Sequence, residues 1–126
     1  MKRMAVAIGL FIFIIVTIFS GNLIVKKQCE SIRKEIESVK IYISNSENLT
    51  ASEKIEDIKQ LWHKKKAIIS IFSNHEPLDE ITVCINELEC ASEIKDNDKA
   101  MLVSAEIIAY IDRITEEQRI HTESFF

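Results

Sequence analysis

Residues 4–25 read MAVAIGLFIFIIVTIFSGNLIV, an apolar stretch of 22 residues without a charged side chain. As an α-helix this stretch is about 33 Å long, at about 1.5 Å per residue, and the hydrocarbon core of a bilayer is about 30 Å thick. Lys2 and Arg3 precede it and Lys26 and Lys27 follow it, so basic side chains can reach the lipid headgroups at both ends. We therefore predict a transmembrane anchor at residues 4–25, with the lipid bilayer as a partner of the chain.

The competing interpretation of this stretch is a cleaved signal peptide. The apolar part of a signal peptide has about 7–15 residues and ends at two small residues separated by one other. The apolar run here is longer, and the sequence around residues 19–21 does not offer such a pair. An uncleaved single-pass anchor is therefore the prediction that we carry forward.

The basic residues on the two sides of the span give two opposite indications of where the rest of the chain lies. Two basic residues precede the span and four follow it closely, which favours a cytoplasmic domain by the positive-inside rule. In contrast, a short basic tail (residues 1–3) before an apolar run is how an export signal begins, and such a tail stays inside. We favour a cell-membrane protein whose domain lies outside the cytoplasm.

The remaining residues, 26–126, have the composition of an all-α domain. The whole chain contains two Gly and one Pro, whereas strand-rich folds need many turn residues. We predict that the N-terminal transmembrane helix continues into a small up-and-down antiparallel helical bundle, because short connections make neighbouring helices antiparallel. The predicted helices lie near 26–44, 51–73, 77–95 and 98–115, followed by a polar tail at 116–126.

Each predicted helix carries an apolar stripe that should face a shared core. In the first two helices the stripes are Ile32, Ile36, Val39 and Ile43, then Ile55, Ile58, Trp62, Ile69 and Phe72. In the last two they are Leu78, Ile81, Ile85, Leu88 and Ser92, then Leu102, Ala105, Ile108, Ile111 and Ile114.

Capping residues mark the predicted helix starts. Thr50 and Glu53 have the spacing of a capping box, and Asp98 is a good N-cap for the last helix. Pro77 suits the first turn of the third helix and should push Glu76 out of helical geometry.

The charge of residues 26–126 excludes one class of partner. This part has fourteen basic and twenty acidic residues, a net charge of -6, and it lacks a basic stripe with interleaved aromatic residues. An acidic domain repels phosphate backbones, so we expect no nucleic-acid partner.

The three cysteines do not form a disulfide framework. Their number is odd, and Cys84 and Cys90 lie six residues apart on different faces of one predicted helix, too far apart for a disulfide. We therefore interpret them and Cys29 as free thiols of a reducing compartment or an anaerobe.

One cluster of potential ligands lies at the predicted start of the third helix. His75 and Asp79 are four residues apart and could bind a metal ion from one helix face, with Glu76 and Glu80 nearby. A helical zinc site needs a second His in place of Asp79 and a third ligand. The simpler interpretation is that these carboxylates stabilise the positive end of the helix dipole.

The sequence contains no catalytic motif and too few Gly residues for a nucleotide-binding loop. We therefore predict no enzymatic activity and no cofactor. The leading hypothesis is a protein-interaction or structural module that binds another protein or itself. The alternative is a ligand-sensing or metal-binding bundle that uses His75 and Asp79.

Several side chains are candidates for such an interaction. Trp62 on a helix stripe indicates a core position, and it would mark an interface if it were exposed. The run Lys64-Lys65-Lys66 indicates a solvated face, or a lipid-headgroup contact if it lies near the membrane. Phe125 and Phe126 could end freely, cover the end of the bundle or dock in a partner. The interaction candidates are therefore Trp62, His75, Glu76, Asp79, Phe125 and Phe126.

These features together resemble a known family. The chain has an N-terminal span and a Trp after the second helix begins (Trp62). These are followed by the segment His75-Glu76-Pro77-Leu78-Asp79 with Ile81, and by Glu117-Gln118-Arg119 leading to two terminal aromatic residues. It resembles the small membrane-anchored bacterial proteins known as domain of unknown function 4363, found mainly in Gram-positive spore-formers. The resemblance covers nearly the whole chain, supports the architecture and implies no known activity.

The chain departs from this family pattern at two positions. Ile69 stands where a second aromatic residue often follows the Trp, and Pro77 stands where a second acidic residue is common. The second departure argues against a metal site at the acidic cluster.

Overall fold

Four α-helices make up a computed structural model of the chain, which describes the backbone of residues 1–125 and the side chains of residues 1–120. The helices are α1 (Lys2–Ser44), α2 (Asn48–Phe72), α3 (His75–Glu93) and α4 (Asn97–Phe125), and no strand lies within the described residues. The predicted fold class is confirmed: the long apolar N-terminal helix continues into an antiparallel helical bundle.

Helix α1 has two parts with different surroundings. It contains 43 residues without a break, about 65 Å at 1.5 Å per residue. Its first twenty residues are mostly exposed, whereas from Gly21 onward one residue per turn is buried by the other helices. Among the described residues, α1 is the one helix that is long and apolar enough to cross a membrane.

The four helices pack in a ring in which each contacts its two neighbours in sequence, and α4 closes the ring against α1. Helix α3 therefore lies diagonally opposite α1. The interior is filled mainly by Ile and Leu, and the predicted stripes of the first and third helices are buried at every position. Two ion pairs tie α1 to its neighbours, Arg33 to Asp112 on α4 and Glu35 to Lys54 on α2, both at 2.5 Å.

The predicted stripe of α4 is wrong in its first half. Leu102 is 61% exposed and Ala105 is also exposed. The buried apolar residues are Ala100, Val103, Ile107, Ile111 and Ile114. Residues three apart are separated by 300° around a helix, so a stripe with a constant spacing of three moves gradually around the helix surface. Spacings that alternate between three and four keep the side chains on one face.

Helix α2 begins earlier than its predicted capping box. Its N-cap position is Glu47, and no side-chain capping hydrogen bond is formed there. Thr50 consequently lies inside the first turn, and the predicted pairing of Thr50 with Glu53 at a helix start is wrong.

The starts of α3 and α4 also differ from expectation. Helix α3 begins at His75, so Glu76 is helical and Pro77 is the third helical residue. A proline is tolerated there because the N–H groups of a first turn have no helical acceptor. At α4, Asp96 rather than Asp98 is the cap, since its Oδ1 accepts a hydrogen bond from the Lys99 backbone N–H at 3.2 Å.

Helix α4 continues ten residues beyond the predicted end at residue 115, to Phe125. Residues 116–120 contain no Gly or Pro, and two pairs at helical spacing support this segment: Arg113 with Glu117 at 3.3 Å, and Arg119 with Glu116. The side chains of Phe125 and Phe126 lie outside the described residues.

Candidate functional site

A groove runs between α2 and α3 on the side of the bundle away from α4. It has a volume of about 540 Å³, and the exposure of Lys59, His63 and Asn86 leaves it open to solvent. The side chains that line it come from both helices: Glu56, Lys59, Gln60, Trp62, His63, Lys64, Lys66, Thr82, Ile85 and Asn86.

The floor of the groove is apolar and rigid. Trp62 is only 3% exposed, so the prediction of a core position is confirmed, and just the edge of its ring reaches the groove. The indole Nε1–H donates a hydrogen bond to Thr82 Oγ1 at 2.9 Å, and this hydroxyl donates to the Leu78 carbonyl at 3.1 Å. These two bonds hold the indole ring and the α2–α3 spacing in one arrangement.

The rim of the groove carries both basic and acidic side chains. Three lysines and one glutamate line it, together with His63. Lys59 pairs with Glu89 at 3.3 Å and Lys66 pairs with Asp79 at 2.9 Å, so two of these lysines bridge α2 and α3. Lys64 is exposed on α2. The groove therefore offers an apolar floor beneath ammonium groups, an arrangement complementary to carboxylates beside apolar side chains.

The structure brings His75 and Asp79 onto one helix but adds no further ligand to them. Both are exposed, and the Asp79 carboxylate is engaged by the Lys66 ammonium at 2.9 Å. Among the described residues, the group of three potential ligands close enough to share a metal ion is Cys84, Glu87 and Glu106, and it contains neither residue.

That group is poorly suited to bind a metal ion. Burial, followed by the negative charges of Glu106, Glu87 and Glu80, raises the pKa of the Cys84 thiol to about 11. A metal ligand must be the thiolate, so a metal ion could bind at this group only by displacing the Cys84 proton. The thiol of Cys84 instead contacts Glu106 Oε2 at 3.9 Å, which links α3 to α4.

The interaction candidates predicted from sequence are therefore scattered. Trp62 forms the floor of the groove, Asp79 pairs at its rim, and His75 and Glu76 are exposed at the start of α3. Lys59 and Thr82 were not singled out from the sequence, because their importance depends on which faces of α2 and α3 meet. The run Lys64-Lys65-Lys66 was singled out, and the spacing of Lys59 and Lys66, seven residues apart on either side of Trp62, is a further signal from which a basic edge could have been predicted.

Comparison with known proteins identifies the family. The family model described as domain of unknown function (DUF4363) matches residues 19–124. The chain belongs to this family. No curated protein and no solved structure matches it.

Proposed function

We propose that this protein is a non-enzymatic, membrane-anchored helical module that binds an acidic segment of another protein in the α2–α3 groove. The observation that carries the proposal is the exposed Lys64 ammonium group at the rim of a groove whose floor is made by Trp62 and Ile85. A partner segment with a carboxylate beside apolar side chains would lie over this floor and pair with Lys64, whereas Lys59 and Lys66 already pair with acidic residues of α3.

The anchor in this proposal is supported by the exposed part of α1. Large apolar side chains of residues 4–20 point away from the protein, for example Phe13, which is 69% exposed. Leaving such side chains in water is unfavourable by about 25 cal/mol per Å² of apolar surface, so another medium or molecule must cover them. A lipid bilayer fits the length of this segment.

We further propose that the bundle lies outside the cytoplasm, as the short basic tail before the span indicates. Two reporters fused to the C-terminus, one active only outside the cytoplasm and one only inside, test this orientation. Activity of the outside reporter is expected, and activity of the inside reporter alone would reverse the orientation.

The binding proposal is tested in native membranes with a photo-crosslinking residue in place of Gln60, an exposed side chain of the groove. A defined crosslinked partner is expected, and the yield should fall about fivefold when Lys64→Glu is added, because the partner's carboxylates are then repelled. Lys64 is exposed, so this change should leave the melting temperature unaltered.

A matched control is Lys34→Glu, the same charge reversal at an exposed position of α1 outside the groove. It should leave the crosslink at Gln60 unchanged. Equal yields in the Lys64→Glu and Lys34→Glu variants would contradict an acidic partner in this groove.

A further inference from the structure

We call the end of the bundle where α2 ends and α3 begins its base. This base lies at the level of the last residues of the apolar segment of α1. Gly21, near the end of that segment, is buried so closely against α2 that a Cβ placed on it would lie 2.8 Å from the Phe72 ring. Two turns further along α1, Lys65 of α2 donates a hydrogen bond to Gln28. Since α1 and α2 are antiparallel, these contacts place Ile71 level with residue 22 of α1 and Ile68 level with residue 25.

Most of the outer side chains of α1 and α2 at this height are apolar, and Ile71 also borders a small polar cavity with Glu117 and Gln118 of α4. Leu23 is 64% exposed on α1 and Ile71 is 74% exposed on α2, with Ile24 and Ile68 also exposed between them. The next positions in the direction away from the apolar segment are basic on both helices. They are Lys26 and Lys27 on α1, and Lys64 and Lys65 on α2. This order, apolar side chains and then lysines, is the order of a membrane interface.

Helix length brings this base to the membrane boundary. A hydrocarbon core of about 30 Å requires about 20 helical residues, so a span that begins at Met4 ends near Leu23. The α2 residues level with this point are Ile71 and Phe72. Residues 4–20 alone would cover only about 26 Å, so the bilayer must reach the part of α1 that the bundle already surrounds.

We propose that the α1–α2 edge of the bundle is inserted into the bilayer surface, with Ile68 and Ile71 in the outer hydrocarbon beside Leu23 and Ile24. The side chains of Lys26 and Lys27 then lie among the headgroup phosphates. The proposal rests on the membrane anchoring proposed above. The polar residues at this height on the other two helices stay in the headgroup layer. They are His75 and Glu76 at the start of α3, and Glu117 and Gln118 of α4, where the Gln118 amide donates a hydrogen bond to the Phe72 carbonyl.

The test measures thiol reactivity of the full-length protein in phospholipid nanodiscs that hold one copy each. Because the native Cys90 is exposed, a charged maleimide is applied to four variants in a Cys90→Ser background: Leu10→Cys, Ile71→Cys, Lys64→Cys and Ile94→Cys. Ile94 is the matched control for Ile71, since it is 71% exposed but lies at the far end of the bundle. Reactivity requires the thiolate and access from water, and both are lost in hydrocarbon.

We expect Ile71→Cys to react at least about tenfold more slowly than Ile94→Cys, because apolar surroundings suppress the thiolate. Lys64→Cys, about 10 Å further from the hydrocarbon, should react within about threefold of that control. Equal rates for Ile71→Cys and Ile94→Cys, with Leu10→Cys protected, would overturn the insertion of the base but leave the anchor intact. Reaction of Leu10→Cys would overturn the anchor itself.

Two further observations keep the test decisive. Cys29 and Cys84 are buried with thiol pKa values of about 11, so their reaction at neutral pH reports a variant that has lost its fold. In that case Ile68→Cys replaces Ile71→Cys. Protection of Ile71→Cys that appears only in discs with several copies would show that a second chain covers this edge, and would overturn the proposal.

Discussion

At the scale of single residues, Gly21 sets how closely α2 approaches α1. A Cβ at this position would lie 2.8 Å from Cδ1 and 3.1 Å from Cε1 of Phe72, both shorter than an ordinary van der Waals contact. A Cβ placed on the other glycine, Gly9, would have no neighbouring atom within 4 Å. The two glycines therefore form a natural pair for comparison.

We expect Gly21→Ala to lower the melting temperature, because overpacking costs about 1–3 kcal/mol and the better helix propensity of Ala returns only about 1 kcal/mol. The net loss of about 1 kcal/mol corresponds to a decrease of several degrees for a domain of this size. Thermal melting in detergent measures it.

Two controls accompany this prediction. Gly9→Ala should not lower the melting temperature, and Phe72→Leu should reduce the effect of Gly21→Ala because the smaller side chain leaves room for the new methyl group. Equal melting temperatures for Gly21→Ala and Gly9→Ala would contradict the close approach of α2.

The close contacts of individual residues could not be predicted from the sequence. In the sequence, nothing distinguishes Gly21 from the other residues of the apolar run. Its role depends on contact with Phe72, which is distant in the chain. The proximity of Cys84 and Glu106 has the same origin, since it depends on how α3 and α4 are rotated against each other.

At the scale of elements, both tight connections at the far end of the bundle use a non-glycine residue in the left-handed region. Ser46 has φ 61° after α1 and Lys95 has φ 59° after α3. Each turn is closed by a backbone bond, from Glu47 N–H to the Tyr42 carbonyl at 2.8 Å and from Asp96 N–H to the Ala91 carbonyl at 2.9 Å. This geometry usually carries a glycine.

Lys95→Gly should therefore raise stability by about 1 kcal/mol, since a left-handed conformation costs an L-residue about 1–2 kcal/mol and glycine nothing comparable. The same change in a helix, Lys34→Gly, should lower stability by about 1 kcal/mol. Melting curves of the two variants in the same detergent check that the melting temperature rises in Lys95→Gly and falls in Lys34→Gly. A loss of stability in Lys95→Gly would show that the lysine side chain contributes more than the backbone strain.

Elements were predictable where one apolar stripe dominates. The stripes of α1 and α3 have spacings of three and four, and every predicted position is buried. Helix α4 offers two overlapping stripes, one through Leu102 and Ile108 and one through Val103 and Ile107. Which of the two stripes faces the core depends on how α1 and α3 pack on α4. The sequence of α4 alone therefore does not determine it.

At the scale of the whole molecule, α1 is both the apolar segment and a wall of the bundle, so the two parts of the chain share one continuous helix. The architecture was predictable because breakers are few and their positions fall between the apolar stripes. The α2–α3 groove was not, because it depends on the register that places Trp62 beside Thr82 and Lys66 beside Asp79.

The proposals for the groove and for the base both depend on α1 remaining in the membrane as part of the intact chain. The most direct test is to wash native membranes with alkaline carbonate and to measure the intact mass of the protein in the pellet and the supernatant. We predict that the chain in the pellet still carries the N-terminal apolar segment, residues 4–25. A shorter chain in the supernatant that lacks the N-terminal apolar segment would contradict the account, because that segment would then be a cleaved signal peptide.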